Sequence, residues 1–209
     1  MIVQWCVKGL SLPDENTARA IIDSRYGLVC NWWRDVGQIS PPATRARLTA
    51  GNLDRHVNHF SAFDPSTSRP FSEQTPFISL SAGVVERDAA AKTNYVHRAR
   101  KAALWFGTDF GVNVTAYIYV CWVVLAPRSA VDVEGVAEEV RDLNTYRRYS
   151  EFQTEGEIAV KIIVPDNQIQ QCERWDLDNT GTGKFIRTWV YRNQRFTPPE
   201  VLSNVRELI

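Results

Sequence analysis

The stretch VTAYIYVCWVVLAP, residues 114 to 127, constrains this chain more than any other. It is β-branched and aromatic throughout and apolar on both faces that a strand presents, so it belongs in the middle of a sheet, covered on each side. A chain of 209 residues, 44% of them hydrophobic, supplies that cover from one well-buried core. The expectation is one domain, or one domain with an extension.

The rest of the chain arranges itself around that strand. IVQWCVKG predicts a first strand, and LPDENTARAIIDSRYGL predicts a loop and a short helix ending at Gly27. Residues 31–74 carry four prolines and little sustained periodicity, which predicts a long loop-rich connection with one short helix at Arg45–His59. TPFISLSAG reads as a strand stopped by Gly83. VVERDAAAKTNYVHRARKAALWFG, rich in helix formers with basic residues before Gly107, predicts a helix ending at that glycine. AVDVEGVAEEVRDL predicts a short turn or helix, EGEIAVKIIVP and NQIQQCERWDL two strands, and KFIRTWVYRNQRFTP a last strand or hairpin arm after the turn DNTGTG. The links after residue 110 are too short for several parallel crossovers, so the expected class is α+β with mainly antiparallel pairing.

Charge narrows the function classes. Lys+Arg and Asp+Glu cancel at 24 each, so no global charge draws the chain to nucleic acid or membrane, and any such partner must be met locally. The four cysteines, Cys6, Cys30, Cys121 and Cys172, form no Cys-x-x-Cys pair and sit near no histidine at a zinc-like spacing, so buried reduced thiols and no metal are expected. The start MIVQWCVKGL lacks the basic and apolar regions of a signal peptide, and no run approaches the ~20 apolar residues of a membrane span. That predicts a soluble protein made in the cytoplasm, reaching any external address by a leaderless route or from a larger precursor.

Chemistry gathers at EFQTEGEIAVKIIVP, residues 151–165. On an extended backbone Glu155 and Glu157 project from one face, at the point where the polar, aromatic segment TYRRYSEFQT meets a core strand. Read alone, such a pair is an exposed strand end with two solvated acids. Close together, two carboxylates perturb each other's proton affinity, which suits a site where one stays charged and one accepts a proton. In TPFISLSAG, Ser79 and Ser81 share a face and can bond a ligand or hold a carboxylate. The literal Ser-Thr-Ser at 66–68 is flanked by aspartate and proline and predicts a turn. DRHVNHF places His56 and His59 before the serine strand, where either polarises a ligand group or structures its own loop.

Taken in order, Phe77-Ile78-Ser79-Leu80-Ser81, a helix, the strand TAYIYVCWVVLAP and Glu155-Gly156-Glu157-Ile158 resemble the ADP-ribosyltransferase toxins of the cholera-toxin type. That family shows an arginine on its first strand, an aromatic-x-Ser-Thr-Ser strand and a Glu-x-Glu. The resemblance covers residues 1–176, leaving 177–209 as a C-terminal β extension packed on the same domain. It implies a split, mainly antiparallel sheet with flanking helices around a central NAD+ cleft, and a mono-ADP-ribosyltransferase acting as a toxin or effector. Glu157 is then the catalytic glutamate, Glu155 orients or deprotonates the acceptor, and a glutamate at that place goes with arginine acceptors. Ser79 positions Glu157, Ser81 supports the cleft, His56 and His59 line it, and Tyr149 or Phe152 packs against the acceptor. The implied partners are NAD+ as substrate, a macromolecular acceptor, protein before nucleic acid, and an inhibitor or immunity protein. The sequence departs from the family at Leu80, in the middle of the serine motif, and at Lys8, which stands where the family has its arginine and meets a phosphate only as a point charge.

Two other readings stay open. The tail GKFIRTWVYRNQRFTPPE and Arg206 beyond it interleave Lys184, Arg187, Arg192 and Arg195 with Phe185, Trp189, Tyr191 and Phe196, the pattern of a nucleic-acid binder or of a charged edge strand. The missing arginine also fits a binding module on the same scaffold that has lost catalysis.

Overall fold

The computed structural model describes residues 2–36, 46–88, 93–126, 135–140, 156–200 and 204–209. Strand β1 (Ile2–Leu10) leads into helix α1 (Glu15–Asp23), which starts where the Asp14 carboxylate accepts the Thr17 N–H at 2.7 Å. Strand β2 (Leu28–Val29), helix α2 (Asn31–Val36) and helix α3 (Ala50–Asn58) follow. A small hairpin, β3 (Phe63–Asp64) with β4 (Arg69–Pro70), turns through the Ser-Thr-Ser at 66–68, where Asp64 accepts from the Ser66 N–H at 3.0 Å, so that triplet is a turn as expected. The serine strand is β5 (Phe77–Ser81).

The next segment corrects the sequence reading. Where one helix was expected up to Gly107, β6 (Val84–Asp88) and β7 (Thr93–His97) pair as a hairpin, and helix α4 is confined to Ala99–Gly107. The hairpin arms hold Val84, Val85, Thr93, Tyr95 and Val96, and these β-formers outweigh the alanines between them. His97 accordingly lies on a strand. Beyond α4 come β8 (Thr115–Leu125), β9 (Val136–Glu138), β10 (Glu157–Lys161), β11 (Ile163–Val164), β12 (Ile169–Leu177), β13 (Phe185–Arg192) and β14 (Asn204–Arg206). β9 replaces part of the expected turn or helix at 130–143, because its three residues bridge β8 and β10.

β8 is central, as its two apolar faces require: β1 runs antiparallel along one edge from Ile2 opposite Leu125 to Leu10 opposite Tyr117, and β12 along the other. Tyr117, Ile118, Tyr119, Cys121 and Val123 are at most 1% exposed. β13 continues the sheet beyond β12. On the other side β1 pairs with β5, β5 with β10, β10 with β9, and β9 returns in parallel to β8, so these five strands close a circuit. β14 lies parallel to the start of β1. Of the described pairings only β8 with β9 and β1 with β14 are parallel, so the sheet is mainly antiparallel.

Two local features fix the geometry around the circuit. Helix α4 crosses β1 so closely that a Cβ on Gly9 would sit 1.7 Å from the Ala103 carbonyl oxygen, which explains a glycine directly after Lys8. The apolar run IAVKIIVP is one strand by pattern, but Ile162 has φ 66°, an outlier for a β-branched residue, and the chain turns there. β11 consequently leaves the main sheet and pairs with β2, while the Cys30 N–H donates to the Ile162 carbonyl at 2.8 Å. All four cysteines are buried and free, and burial pushes the Cys30 thiol up to about 11 and those of Cys121 and Cys172 up to about 12.

Candidate active site

A cavity of about 590 Å³ lies between β1, β5, α3 and α4, with Lys8, His56, Ser79, Ser81 and Glu157 in its wall. Such a volume suits a ligand of nucleotide size. Register brings the serines and the glutamate together: Glu157, the first residue of β10, stands opposite Ser81, and Ala159 opposite Ser79. Glu157 is 7% exposed. Its position depends on Gly156, which has φ 63° and whose backbone lies against Gly83; a Cβ there would come within 2.5 Å of the Gly83 nitrogen. The Ala82 N–H closes this contact on the Gly156 carbonyl at 2.9 Å. Glu155 itself lies outside the described residues, as do Tyr149 and Phe152.

His56 is the residue that links the motifs. It sits in the last turn of α3, inside the helix expected at Arg45–His59, and it is 3% exposed. Its Nε2 is 2.9 Å from Ser79 Oγ and 3.7 Å from Glu157 Oε1, and its Nδ1 is 2.7 Å from Thr75 Oγ1. Burial, reinforced by the nearby Lys8 charge, lowers its pKa to about 3. The contact with Glu157 is therefore between a carboxylate and a neutral imidazole, and is no ion pair at ordinary pH. Thr75 Oγ1 already accepts the Phe77 N–H at 3.2 Å, which leaves its hydroxyl hydrogen for Nδ1. With that hydrogen on Nδ1 the ring proton lies on Nε2, facing Ser79 and the carboxylate, whereas the other tautomer would turn a lone pair toward Glu157. Ser79 and Glu157 both border the His56 Nε2. Thr75 was missed from the sequence, where nothing in EQTPF distinguishes it.

Lys8 is half-buried and shares the cavity with Glu157. Burial pulls its pKa down to about 8, Glu157 pushes it back up, and Arg34 of α2 lowers it further. His59, just past the end of α3, is exposed and also lines the cavity. Among the described residues no group of three His, Cys, Asp or Glu is placed to hold a metal ion, and no helix is long and apolar enough to cross a membrane.

The cavity also has an apolar lining, which sequence reasoning missed. Phe60, Ala102, Ala103, Phe106 and Phe110 form it. Phe110 belongs to a turn in which Asp109, Phe110 and Gly111 all have positive φ, of 52°, 59° and 85°. A non-glycine residue in that region costs ~1–2 kcal/mol. Gly111 after a helix end was the available signal.

The fold is α+β, a mainly antiparallel sheet with flanking helices, and it is shared with a solved structure. The chain is similar to the structure of EcPltA, at 13% identity and TM-score 0.52, over 99% of this chain and 94% of that one. A mutant of the E. coli heat-labile enterotoxin aligns with 91% of this chain and 76% of that one, at 16% identity and TM-score 0.46. No family model and no curated protein matches the sequence.

Proposed function

We propose that this chain is a mono-ADP-ribosyltransferase that takes NAD+, releases nicotinamide and places ADP-ribose on a macromolecular acceptor. The observation that supports this most is the buried Glu157, bordered by a His56 bonded to Ser79 and Thr75, inside a nucleotide-sized cavity that also holds the Lys8 cation. A half-buried ammonium beside a cleft suits a pyrophosphate, so the residues present fit NAD+ as substrate.

In that reading the Glu157 carboxylate accepts a hydrogen bond from the nicotinamide ribose. It stabilises the positive charge that develops on the ribose as the C1′–N bond breaks and the electron pair leaves with neutral nicotinamide. The neutral His56 ring, bonded to Ser79 and Thr75, borders the carboxylate at 3.7 Å and limits its movement. The acceptor nucleophile then bonds to C1′ and gives up a proton, the step that the family resemblance assigns to Glu155. The resemblance also gives Tyr149 or Phe152 to the acceptor and His59 to the cleft. A protein acceptor, an arginine side chain in particular, is the reading for a glutamate at 155, and an inhibitor or immunity protein is a further partner of such a toxin.

The nucleic-acid alternative loses its support in the tail. Arg187 pairs with buried Glu173 at 3.3 Å, Arg195 with Asp166 at 2.7 Å and Arg206 with Glu139 at 3.1 Å. Trp189 and Tyr191 are covered by Arg19, 5.6 and 5.0 Å from their ring centres. The charged edge-strand reading accounts for these residues.

Lys8 provides the test against a non-catalytic binding module. kcat/KM for nicotinamide release is expected to fall as pH rises through about 8, where the free protein loses the Lys8 charge. Lys8→Arg should remove that limb, since a guanidinium stays charged, and Lys8→Ala should weaken NAD+ binding in calorimetry. Stability moves the other way: between about 8 and the ordinary value of 10.5 the unfolded chain binds more protons at this site, so the Lys8 contribution to stability rises with pH. No NAD+ binding at millimolar concentration would leave the binding module as the better account.

A further inference from the structure

Three aromatic rings stand together where α4 ends. Trp105, Phe106 and Phe110 are 54%, 41% and 58% exposed. Phe110 meets Trp105 edge to face at 6.1 Å and Phe106 at 5.6 Å, and both phenylalanines line the cavity that holds Glu157. The turn carrying Phe110 is tightly held despite its left-handed backbone. The Phe110 N–H donates to the Trp105 carbonyl at 2.9 Å, the Asn113 N–H to the Thr108 carbonyl at 2.8 Å, and the Gly111 N–H to the Thr108 hydroxyl at 3.1 Å. A bulky ring kept in strained backbone by several bonds, and left exposed, is the arrangement of a ligand clamp.

From this geometry we infer that Phe106 and Phe110 form a stacking subsite for a nucleobase, the adenine of an adenosine 5′-phosphate, at the apolar lining of the cavity. The rings and the cation that line one cavity select that ligand class. An aliphatic ligand would cover the rings but bring no anion to Lys8; a sugar phosphate would serve Lys8 and leave the rings in water. A nucleoside phosphate satisfies both, its base stacking on the rings and its phosphate reaching the cation. Gly9, Ala102 and Ala103, all small, line the same cavity. On the NAD+ reading above, on which the orientation rests, this is the adenosine half of the dinucleotide, with the bond that breaks lying at Glu157.

AMP is the probe, titrated by calorimetry into the wild-type chain and its variants, with ribose 5-phosphate as the ligand without a base. Phe110→Ala and Phe106→Ala are expected to weaken AMP binding roughly tenfold or more, while Phe110→Tyr keeps it within about threefold. Ribose 5-phosphate should not distinguish Phe110→Ala from wild type. Equal AMP binding by wild type and Phe110→Ala, or none by wild type, overturns the subsite; if sedimentation instead shows Phe110→Ala dissociating a dimer with AMP binding unchanged, the rings cover a second copy and the proposal also fails. Should Phe110→Ala not fold, Phe106→Ala and Phe110→Tyr carry the comparison. Nicotinamide release from NAD+ by the same wild-type preparation separates the two readings. Release without any effect of the rings on AMP sinks the subsite alone, and ring-dependent AMP binding without release sinks the transferase reading alone.

Discussion

Glu157→Gln is expected to lower kcat for nicotinamide release from NAD+ by about a hundred- to a thousandfold, with KM little changed. The substitution keeps the size and shape of the side chain and removes only its charge. At 7% exposure the carboxylate is shielded from water, so its field at the ribose is weakly screened, and that field matters only once positive charge develops there. The amide fills the same space and the Ser79–His56–Thr75 bonds are untouched, so the fold around it should persist and circular dichroism should match wild type. Steady-state nicotinamide release settles the point: a variant that retains more than about a tenth of the wild-type kcat would remove Glu157 from the chemistry.

Gly156→Ala is expected to have the largest effect on stability and to take activity with it. The residue has φ 63°, which costs a non-glycine side chain ~1–2 kcal/mol. Its new Cβ would also lie 2.5 Å from the nitrogen and 2.7 Å from the Cα of Gly83, backbone atoms that cannot swing aside. Overpacking of that kind adds ~1–3 kcal/mol, so a loss of about 2–5 kcal/mol is expected. For a chain of this length that is a fall in Tm of roughly 5–15 °C, read by thermal unfolding. Relief of the clash requires β10 to move relative to β5, and the pairing of Glu157 with Ser81 is what places the carboxylate, so the folded fraction should also release nicotinamide slowly. A Tm within about 1 °C of wild type would show that the glycine is not under the constraint described.

The elements that were legible in the sequence are those whose own pattern decides them. β8 is apolar on both faces and could only be central; α1 follows the loop at LPDEN with its own short apolar period; β5 and the start of β10 carry the serine and glutamate motifs. Elements that depend on distant partners were not legible. The β6–β7 hairpin hides in a stretch whose alanines favour helix, β9 is three residues long and exists because β8 and β10 flank it, and β11 leaves the main sheet because Ile162 adopts a backbone that its sequence does not announce.

The candidate site divides in the same way. Ser79, Ser81, Glu157, His56 and Lys8 were read from residue type and order, and they line one cavity. The histidine link was not legible, since His56 joins Ser79 to the surroundings of Glu157 only in the fold, and Thr75, which bonds the histidine, carries no local signal. The aromatic wall was hidden for another reason: Phe106 and Phe110 meet only because the turn after α4 doubles back through two left-handed non-glycine residues.

The central claim is that ADP-ribose passes from NAD+ to a protein. Its most direct measurement incubates wild type and Glu157→Gln with cell lysate and NAD+ labelled in the adenylate half, and then divides the product between protease and nuclease. The account predicts macromolecular label with wild type, its near absence with Glu157→Gln, and label that resists nuclease and yields to protease. Equal blank transfer and equal NAD+ hydrolysis by the two proteins would contradict the transferase reading, and label removed by nuclease but not by protease would contradict the protein acceptor.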